Sequence, residues 1–506
     1  MLTNFAIKQY AKYRYNYLNK LKPQEAQEKE LLKLIRKNET TKFGKEHSFS
    51  MINSIKDFQN NVPLRTYDDF WKEYFKDAFP YLNNITYKGL IPYYAVSSGT
   101  STGTTKYIPL TKDMLKSNVK AGLDLLTYHF INNPNSKMLN GKSFVLGGST
   151  DLVKEAPGIY SGDLSGITTM TIPWWIQGRY FPDKKTALLK NWEEKIDKLA
   201  KMALKEDIRM ISGVPSWILI FMNKYKEIFP EKEISFKNIF PNLEMLVHGG
   251  VNFSPYYDTF KNLMVGSKVE LREVYPASEG FIAMQDKAYG EGMKLMLDSN
   301  IFFEFVPVDE LQSKNPTAHH VGNIEKDINY AVVMTTCAGL WRYIIGDTVR
   351  FVDTENPRLL VTGRTSYYLS SFGEHIIMEE VEDAVLSASK EIGKQISEYS
   401  VGTLFPKNTE ELGGHLYIVE FKGEIPTDNE LQIFANKIDK VLCKRNEDYE
   451  AHRAEGYGLN PPKVKAVKPG TFSMWMASRG KLGGQNKVPR IITNEKLFNS
   501  LVEFKK

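Results

Sequence analysis

Cysteine and long apolar runs are scarce in this chain of 506 residues. Its two cysteines, Cys337 and Cys443, are too few for a disulfide framework, which indicates a reducing compartment. Cys337 lies in the apolar run AVVMTTCAGLW and is predicted to be a core residue. The first residues lack the unbroken apolar stretch of a secretory signal, and no segment reaches the roughly 18 apolar residues that span a bilayer. We therefore expect a cytoplasmic protein with no membrane partner.

Concentrated charge of one sign is also missing. The 66 basic and 60 acidic residues give a formal net charge of +6, which is weak for this length. Nucleic-acid binding would need a concentrated basic stripe, so we expect no nucleic-acid partner. The sequence has no H-E-x-x-H segment and no paired C-x-x-C, and its eight histidines form no metal-ligand spacing. These absences exclude the common zinc-protease and zinc-ribbon classes.

Short β-like runs alternate with helical stretches from about Ile91 onwards. An amphipathic helix is predicted for Gln24–Lys37, and further helices for Asp113–Phe130, Lys184–Ala203 and Trp217–Tyr225. The β-like runs around them include IPYYAVS, KYIPL, SFVLGGS and MLVHGG. Strands separated by helices predict an α/β fold with substantial parallel sheet.

A second, smaller unit is predicted from Arg364 onwards. The β-like runs HLYIVEF and KVKAVKPGTF flank a predicted helix at Asp428–Leu442, as in a small α+β domain. The polar segment Thr362–Ser366 follows the strand RLLV and is the predicted linker. We therefore expect a large domain at residues 1–363, with mixed and parallel sheets and flanking helices, and a small domain at residues 364–506.

The segment SSGTSTGTTK, from Ser97 to Lys106, is the strongest candidate for a phosphate-binding loop. Glycines let the backbone wrap an anion closely, hydroxyls and N–H groups donate to phosphate oxygens, and the lysine adds a positive charge. It is not a Walker A loop, because its spacing differs and the following KYIPL predicts a strand instead of a helix. A flexible linker is the alternative, but a linker is not expected between two strands with a lysine at its end.

Two further segments have residue types suited to a nucleotide. In YPASEG, Tyr275 can lie against an adenine ring, Ser278 can donate to a phosphate, and Glu279 is a hard oxygen ligand suited to Mg²⁺. In YIIGD, a glycine bend can present Asp347 to both hydroxyls of a ribose. Taken alone, each segment is more typical of an ordinary turn.

The remaining candidates are weaker when taken singly. Arg364 could pair with phosphate or ribose, or belong to an interdomain hinge. The glycine-rich basic loop Gly480–Arg490 is equally typical of a solvated turn. His248 in VHGG is more typical of a structural residue than of a substrate contact, and Trp174 and Trp175 could wall an acyl pocket or pack in the core.

The order of these segments resembles the adenylate-forming superfamily, which includes firefly luciferase and the acyl-CoA ligases. The loop ending in lysine is followed by Tyr-x-x-Ser-Glu, Tyr-x-x-Gly-Asp, Gly-Arg and a C-terminal lysine loop. Within that superfamily the chain looks most like the bacterial form of the Gretchen Hagen (auxin-responsive promoter) family of acyl-acid amido synthetases. SSGTSTGTTK, YPASEG and YIIGD resemble its three nucleotide motifs, and NVPLRTYDDF and GTFSMWMASRGKLGGQNKVPR also look like its members. The resemblance covers nearly the whole chain and implies an adenylate-forming fold whose small domain is mobile.

The resemblance also implies a role for each matching residue. The β- and γ-phosphates of ATP would be held by the loop residues Ser97, Ser98, Gly99, Thr100, Gly103, Thr104 and Lys106. The rest of the nucleotide would be bound by Gly249 and Gly250 beside the adenine, Tyr275 facing the adenine, Ser278 at the α-phosphate, Asp347 at the ribose and Arg364. Glu279 would bind Mg²⁺, and Lys487 would bring a lysine of the mobile domain to the α-phosphate and the acyl carboxylate. Two positions depart from the pattern: Ile344 stands where plant members usually have arginine, and Ser366 where many acyl-CoA ligases have a hinge aspartate.

The implied activity is that of a ligase that forms C–N bonds in two steps, with ATP and Mg²⁺ as cofactors. A carboxylic acid attacks ATP to give an acyl adenylate and pyrophosphate, and an amine, expected to be that of an amino acid, then takes the acyl group. Lys106, Lys487 and Glu279 would be the catalytic residues. Two alternatives stay open: an acid–thiol ligase that uses coenzyme A, and a nucleotide-binding protein with a decayed site. The presence of all the motif lysines and carboxylates argues against the second.

Overall fold

The chain divides into two compact units. The large unit is formed by Met1–Ser97, Thr105–Ile345 and Val349–Val361, and the small unit contains Gly346–Thr348 and Thr362–Lys506. The computed structural model of the protein describes residues 2–98, 105–146, 152–172, 177–187, 189, 192–249, 253, 256–311, 313–365, 368–369, 376–405, 413–446, 449–450, 453, 459–481 and 487–504.

The large unit contains helices that we number α1 to α12 among the described residues. They are Leu2–Leu18, Pro23–Asn38, Lys42–Glu46, Ile55–Asn61, Tyr67–Phe70, Lys112–Asn132, Leu164–Thr171, Lys184–Ala187, Trp192–Ala203, Pro215–Ile228, Phe236–Ile239 and Tyr257–Leu263. Several begin at a side-chain cap predicted by their sequence type. Thr111, for example, accepts a hydrogen bond from the amide of Met114 at 3.2 Å and starts α6.

Strands β1 to β15 follow the same order along the chain. They are Tyr93–Ser98, Thr105–Leu110, Lys142–Leu146, Val153–Ala156, Ile159–Gly162, Tyr180–Phe181, Ile208–Gly213, Met245–Gly249, Glu270–Ala277, Gly280–Met284, Met293–Leu295, Ile301–Pro307, Asn329–Thr336, Tyr343–Asp353 and Arg358–Arg364. Among the described residues, eleven of them form one sheet in the order β12-β13-β14-β15-β11-β10-β9-β8-β7-β3-β6. Its β6-β3-β7-β8-β9 part is parallel, and the pairs β9-β10, β10-β11, β11-β15 and β12-β13 are antiparallel.

A second sheet of the large unit has the order β2-β1-β5-β4 within the described residues. Strand β1 pairs with β5 in parallel, with Tyr93 opposite Tyr160. Strands β1 and β2 are neighbours in this sheet, and they are the strands predicted on either side of the phosphate-binding loop.

The small unit has its own sheet and helices. Its strands β16 to β21 are Tyr368–Leu369, Ile376–Ile377, Ile396–Leu404, Gly414–Phe421, Lys463–Val467 and Ile491–Ile492, and its helices α13 to α16 are Met378–Ile392, Asp428–Arg445, Thr471–Ser478 and Glu495–Val502. Four of the strands form a sheet in the order β20-β19-β18-β21 within the described residues. Apolar side chains of α13 and α14 pack in one cluster with β18 and β19. The small unit therefore has its own core.

The long amphipathic elements were predicted closely. The helix predicted at 113–130 is α6, and the helix predicted at 217–225 is contained in α10. Cys337 is buried, with 2% of its surface exposed, so its predicted place in the core is confirmed. Burial also raises the pKa of its thiol. In the described part of the chain, none of the helices has the length and apolar character needed to cross a membrane.

Three predicted segments were partly wrong. The helix predicted at 184–203 is two helices, α8 and α9, and the carbonyl oxygen of Ala187 at the end of α8 accepts from Lys195 Nζ at 2.8 Å. In KVKAVKPGTF the strand ends at Val467, and Gly470, with a φ of 84°, is the N-cap that precedes helix α15. The predicted linker at 362–366 starts inside strand β15, where Thr362 is buried and hydrogen-bonded to Thr348 Oγ1 at 2.8 Å.

Candidate active site

The carboxyl ends of parallel strands meet at one edge of the large sheet. Strands β7, β8 and β9 run side by side, with Gly213, His248 and Glu273 opposite one another. Open α/β sheets bind ligands at this edge, because the loops that leave the strands converge there. The predicted segments VHGG and YPASEG both lie at this edge of the large unit.

Gly249, the last residue of β8, is required by the close approach of the next strand. A Cβ atom at this position would lie 2.1 Å from the carbonyl oxygen of Val274 on β9. No side chain fits at that distance, so the strand end presents bare backbone. Strand packing therefore accounts for this glycine, and its place beside the adenine stays a prediction.

A tight hairpin carries the predicted YPASEG residues. Strand β9 ends at Ala277 and β10 begins at Gly280, which leaves Ser278 and Glu279 at the turn between them. Both turn residues are half-buried. Tyr275 is 7% exposed and belongs to the main apolar cluster of the large unit. The segment is thus a turn in local structure, placed at the end of a strand where its polar side chains can reach a ligand.

Lys106 lies at the start of β2, beside aromatic residues. Its Nζ is 5.6 Å from the centroid of the Tyr67 ring, within the range of a cation–π contact. The hydroxyl oxygen of Tyr67 accepts from the amide of Tyr107 at 2.7 Å, and burial raises the pKa of this tyrosine to about 12. The Tyr67 hydroxyl therefore anchors the start of β2, and the Lys106 side chain beside the ring is half-buried.

Asp347 lies in the middle of the continuous strand β14, so the turn expected in YIIGD is not present. Gly346 supplies the predicted bend within the strand, with a φ of 88° that other residues rarely adopt. Its carbonyl oxygen accepts from the amide of Thr365 at 2.8 Å, and Thr348 on the other side bonds to Thr362. These bonds within the small unit fix the backbone on both sides of a half-buried carboxylate.

Lys487 is exposed and precedes a firmly held segment of the small unit. The carbonyl oxygen of Pro489 accepts from Ser400 Oγ at 2.6 Å, and that of Arg490 accepts from the amide of Val401 at 2.7 Å. Arg490 forms an ion pair with Glu398 on β18. The backbone after the lysine is thus anchored to the small sheet.

Several predicted site residues fall outside what the structure describes. They are Gly99, Thr100, Gly103, Thr104, Gly250, Trp174 and Trp175, together with the side chains of Ser97, Ser98 and Arg364. The backbone of Ser97 and Ser98 ends β1, and that of Arg364 ends β15.

A buried histidine and a half-buried glutamate at the carboxyl edge stand out in the structure. His248 is 1% exposed, and its ring stacks on Phe253 with centroids 3.7 Å apart. Burial lowers the pKa of His248 to about 4 and raises that of Glu273 to about 7. Glu273 was not singled out in the sequence, because one glutamate in LREVYPA carries no pattern. The only sequence feature that could have pointed to Glu273 is its position, two residues before the predicted nucleotide motif YPASEG.

Three domain models of one family match consecutive parts of the chain. The GH3 family N-terminal domain matches residues 18–269, the GH3 family central domain residues 294–364, and the GH3 family C-terminal domain residues 379–496.

The chain belongs to the GH3 family. The predicted resemblance to the Gretchen Hagen family is therefore confirmed. Two curated GH3 proteins match shorter stretches, and the chain spans less than half the length of either relative. An indole-3-acetic acid-amido synthetase, GH3.3 of Arabidopsis thaliana, is 26% identical over 44% of this chain and 38% of the relative. The jasmonoyl–L-amino acid synthetase GH3.5 of Oryza sativa subsp. japonica is 28% identical over 40% of this chain and 37% of the relative.

Solved structures share the fold of this GH3 chain over nearly its full length. The GH3.15 acyl acid amido synthetase in complex with 2,4-DB has a TM-score of 0.82 and 18% identity, covering 98% of this chain and 96% of that chain. A 2-hydroxyisobutyryl-CoA ligase in the postadenylation state has a TM-score of 0.56 and 13% identity, covering 98% and 90%. The predicted α/β fold of the adenylate-forming enzymes is therefore confirmed.

Proposed function

We propose that this GH3 chain is an ATP-dependent acyl-acid amido synthetase. It adenylates a small carboxylic acid, releases pyrophosphate, and transfers the acyl group to an amine, that of an amino acid. The observation that carries the proposal is the succession of three GH3 domains along one chain whose fold resembles that of an acyl acid amido synthetase. The low cysteine content supports a cytoplasmic site of action.

Activation is needed because a carboxylate is a poor acylating agent, since its leaving group would be oxide. Attack of the acid on the α-phosphate of ATP replaces oxide by AMP as the leaving group. The negative charge on the phosphates must be offset by cations that are already in place. Lys106 at the start of β2 is proposed for the pyrophosphate side, and Lys487 of the small unit for the α-phosphate and the acid.

The residues at the carboxyl edge suit a nucleotide. Gly249, Tyr275, Ser278 and the ribose-binding Asp347 are assigned to the nucleotide as the sequence motifs imply. We assign Gly250, Arg364 and the loop Ser97–Thr104 to the nucleotide on the same grounds. These roles are part of the proposal.

Glu279 fits a magnesium ion that arrives with the nucleotide. Mg²⁺ in such sites is held by one or two carboxylates plus phosphate oxygens and water. Glu279 presents one half-buried carboxylate at a hairpin turn. When bound, Mg²⁺ would neutralise phosphate charge, and Glu279 would be one of its ligands.

An acid–thiol ligase is the second candidate, because the fold also resembles a CoA ligase with a TM-score of 0.56. The higher TM-score of 0.82 for an amido synthetase favours the amine acceptor. Offering the same activated acid to coenzyme A and to a mixture of amino acids separates the two activities.

The decisive experiment is ATP–pyrophosphate exchange with Mg²⁺ and a panel of aromatic, aliphatic and hydroxy acids, without any amine. We expect at least one acid to support exchange, and the Lys106→Ala variant to lose it. The absence of exchange with every acid, in folded protein that binds ATP, would overturn the proposal and return the chain to a nucleotide-binding protein.

A further inference from the structure

Two polar side chains lie next to each other at the carboxyl edge of the large sheet. His248 on β8 and Glu273 on β9 are opposite residues of neighbouring parallel strands. Opposite residues of paired strands project from the same face of a sheet. His248 immediately precedes Gly249, and Glu273 precedes Tyr275 by two residues. The pair therefore lies beside the residues assigned to the nucleotide.

The imidazole of His248 has no hydrogen-bond partner for either ring nitrogen among the described residues. Its ring is 1% exposed and lies against Phe253 at an interplanar angle of 20°. Buried polar groups in folded proteins almost always have a partner, because losing water without replacement is costly. With a pKa of about 4, the ring is neutral near pH 7, so it has one donor and one acceptor to satisfy.

Glu273 is in a similar position on the neighbouring strand. No side chain of the described residues donates to its carboxyl group, and burial raises its pKa to about 7. Glu270, three residues earlier on the same strand, is bonded to His129 at 2.8 Å and to Arg272. Glu270, which is half-buried, thus has side-chain partners on the strand where Glu273 has none among the described residues.

We propose that His248 and Glu273 form the polar end of the acid-substrate pocket and select carboxylic acids that carry a hydrogen-bonding substituent, such as a hydroxyl group. The inference rests on the proposed function, since it names the substrate class of that site. A hydroxyl both donates and accepts, which matches a neutral imidazole beside a carboxyl group. An apolar acid of the same size would leave both groups unsatisfied, which is the situation in which enzymes discriminate most strongly.

The test compares matched acids in ATP–pyrophosphate exchange. Benzoic, phenylacetic and short aliphatic acids would each be offered with a hydroxyl and with a methyl group at the same position. For the acid that the enzyme accepts best, we expect kcat/KM to favour the hydroxyl member by at least about tenfold. A ratio near one for every accepted acid would overturn the inference while leaving the proposed function intact.

Variants then assign the preference to these residues. Glu273→Met and His248→Phe should lower the hydroxyl-to-methyl ratio at least about fivefold, mainly through a higher KM for the hydroxy acid, while exchange with the methyl acid persists. Glu273→Gln is the matched control, because an amide keeps a donor and an acceptor of the same shape, and it should retain most of the preference. An unchanged ratio in the Met and Phe variants, or an equal loss in Gln and Met, would overturn the inference. The absence of exchange by the wild type with every acid would instead overturn the proposed function, and this inference with it.

Discussion

Replacing Glu273 by glutamine should stabilise the large unit at neutral pH and not at acidic pH. Burial gives this carboxyl group a folded-state pKa of about 7 against an ordinary value of 4.5. Between those values the unfolded chain ionises the group and the folded chain keeps it protonated. The contribution of Glu273 to stability is therefore full below pH 4.5 and is lost as the pH rises through 7.

The size of the effect follows from the two pKa values. A difference from 4.5 to about 7, at about 1.4 kcal/mol for each pH unit, corresponds to roughly 3 kcal/mol. This figure is an upper bound, because the side chain keeps some contact with solvent. Glutamine has the same shape and does not ionise, so the variant and the wild type should be equally stable at pH 4.5. Their difference should grow to about 1–3 kcal/mol at pH 8 in favour of the variant.

The assay is equilibrium urea unfolding of both proteins at several pH values from 4.5 to 8, with a probe in the large unit because the two units need not unfold together. Glu231→Gln is the control, since Glu231 is exposed and its replacement should give a difference that does not depend on pH. A flat difference for Glu273→Gln, or one that favours the wild type as the pH rises, would refute the buried, protonated carboxyl group and weaken the proposed substrate pair.

Four further outcomes are expected. Gly249→Ala should lower the free energy of unfolding by about 1–3 kcal/mol, because the new methyl group would lie 2.1 Å from a backbone carbonyl oxygen. An unchanged urea midpoint would contradict this close approach. Arg14→Met should cost about 3–5 kcal/mol in the same assay, since it strips a guanidinium from two buried aspartates, and a loss below 1 kcal/mol would show that the network is dispensable. In native protein a thiol reagent should modify the half-buried Cys443 quickly and the buried Cys337 only after unfolding, and two fast thiols would argue against that burial. Lys487→Ala should slow adenylate formation in single-turnover kinetics far more than the reaction of a supplied acyl adenylate with the amine, and equal slowing of both steps would contradict a lysine brought in for one step only.

The elements that the sequence predicted well carry their own local signals. Helix α6 has a capping threonine, a long apolar stripe and no break, so 113–130 was close to the observed Lys112–Asn132. The end of α8 is not marked in the sequence, because the helical pattern continues past it. In the structure the carbonyl oxygen of Ala187 at that end accepts from Lys195, eight residues further along the chain. Strand order in the large sheet depends on contacts between distant segments, which local periodicity does not report.

The segments of the candidate site are also found from local signals in the sequence. Motifs such as YPASEG can be recognised from their residue types and their order along the chain. In the structure this segment lies at the carboxyl edge of the large sheet. The roles given to its residues stay predictions. Glu273 escaped notice because its burial depends on β8, whose paired residue His248 lies 25 positions earlier in the sequence. The sequence of one strand does not show which of its side chains a neighbouring strand will bury.

The ion pairs of Arg14 join segments that are synthesised at different times. Its guanidinium holds Asp124, which is 110 residues further along the chain, and Asp298, which is 284 residues further. At a translation rate of about 5–20 residues per second, the second carboxylate emerges roughly 15–60 s after the arginine. Both ion pairs of Arg14 can therefore be completed only after synthesis has passed Asp298. Before that point Arg14 can pair with Asp124 alone, so half of this buried charge network would be unformed during synthesis.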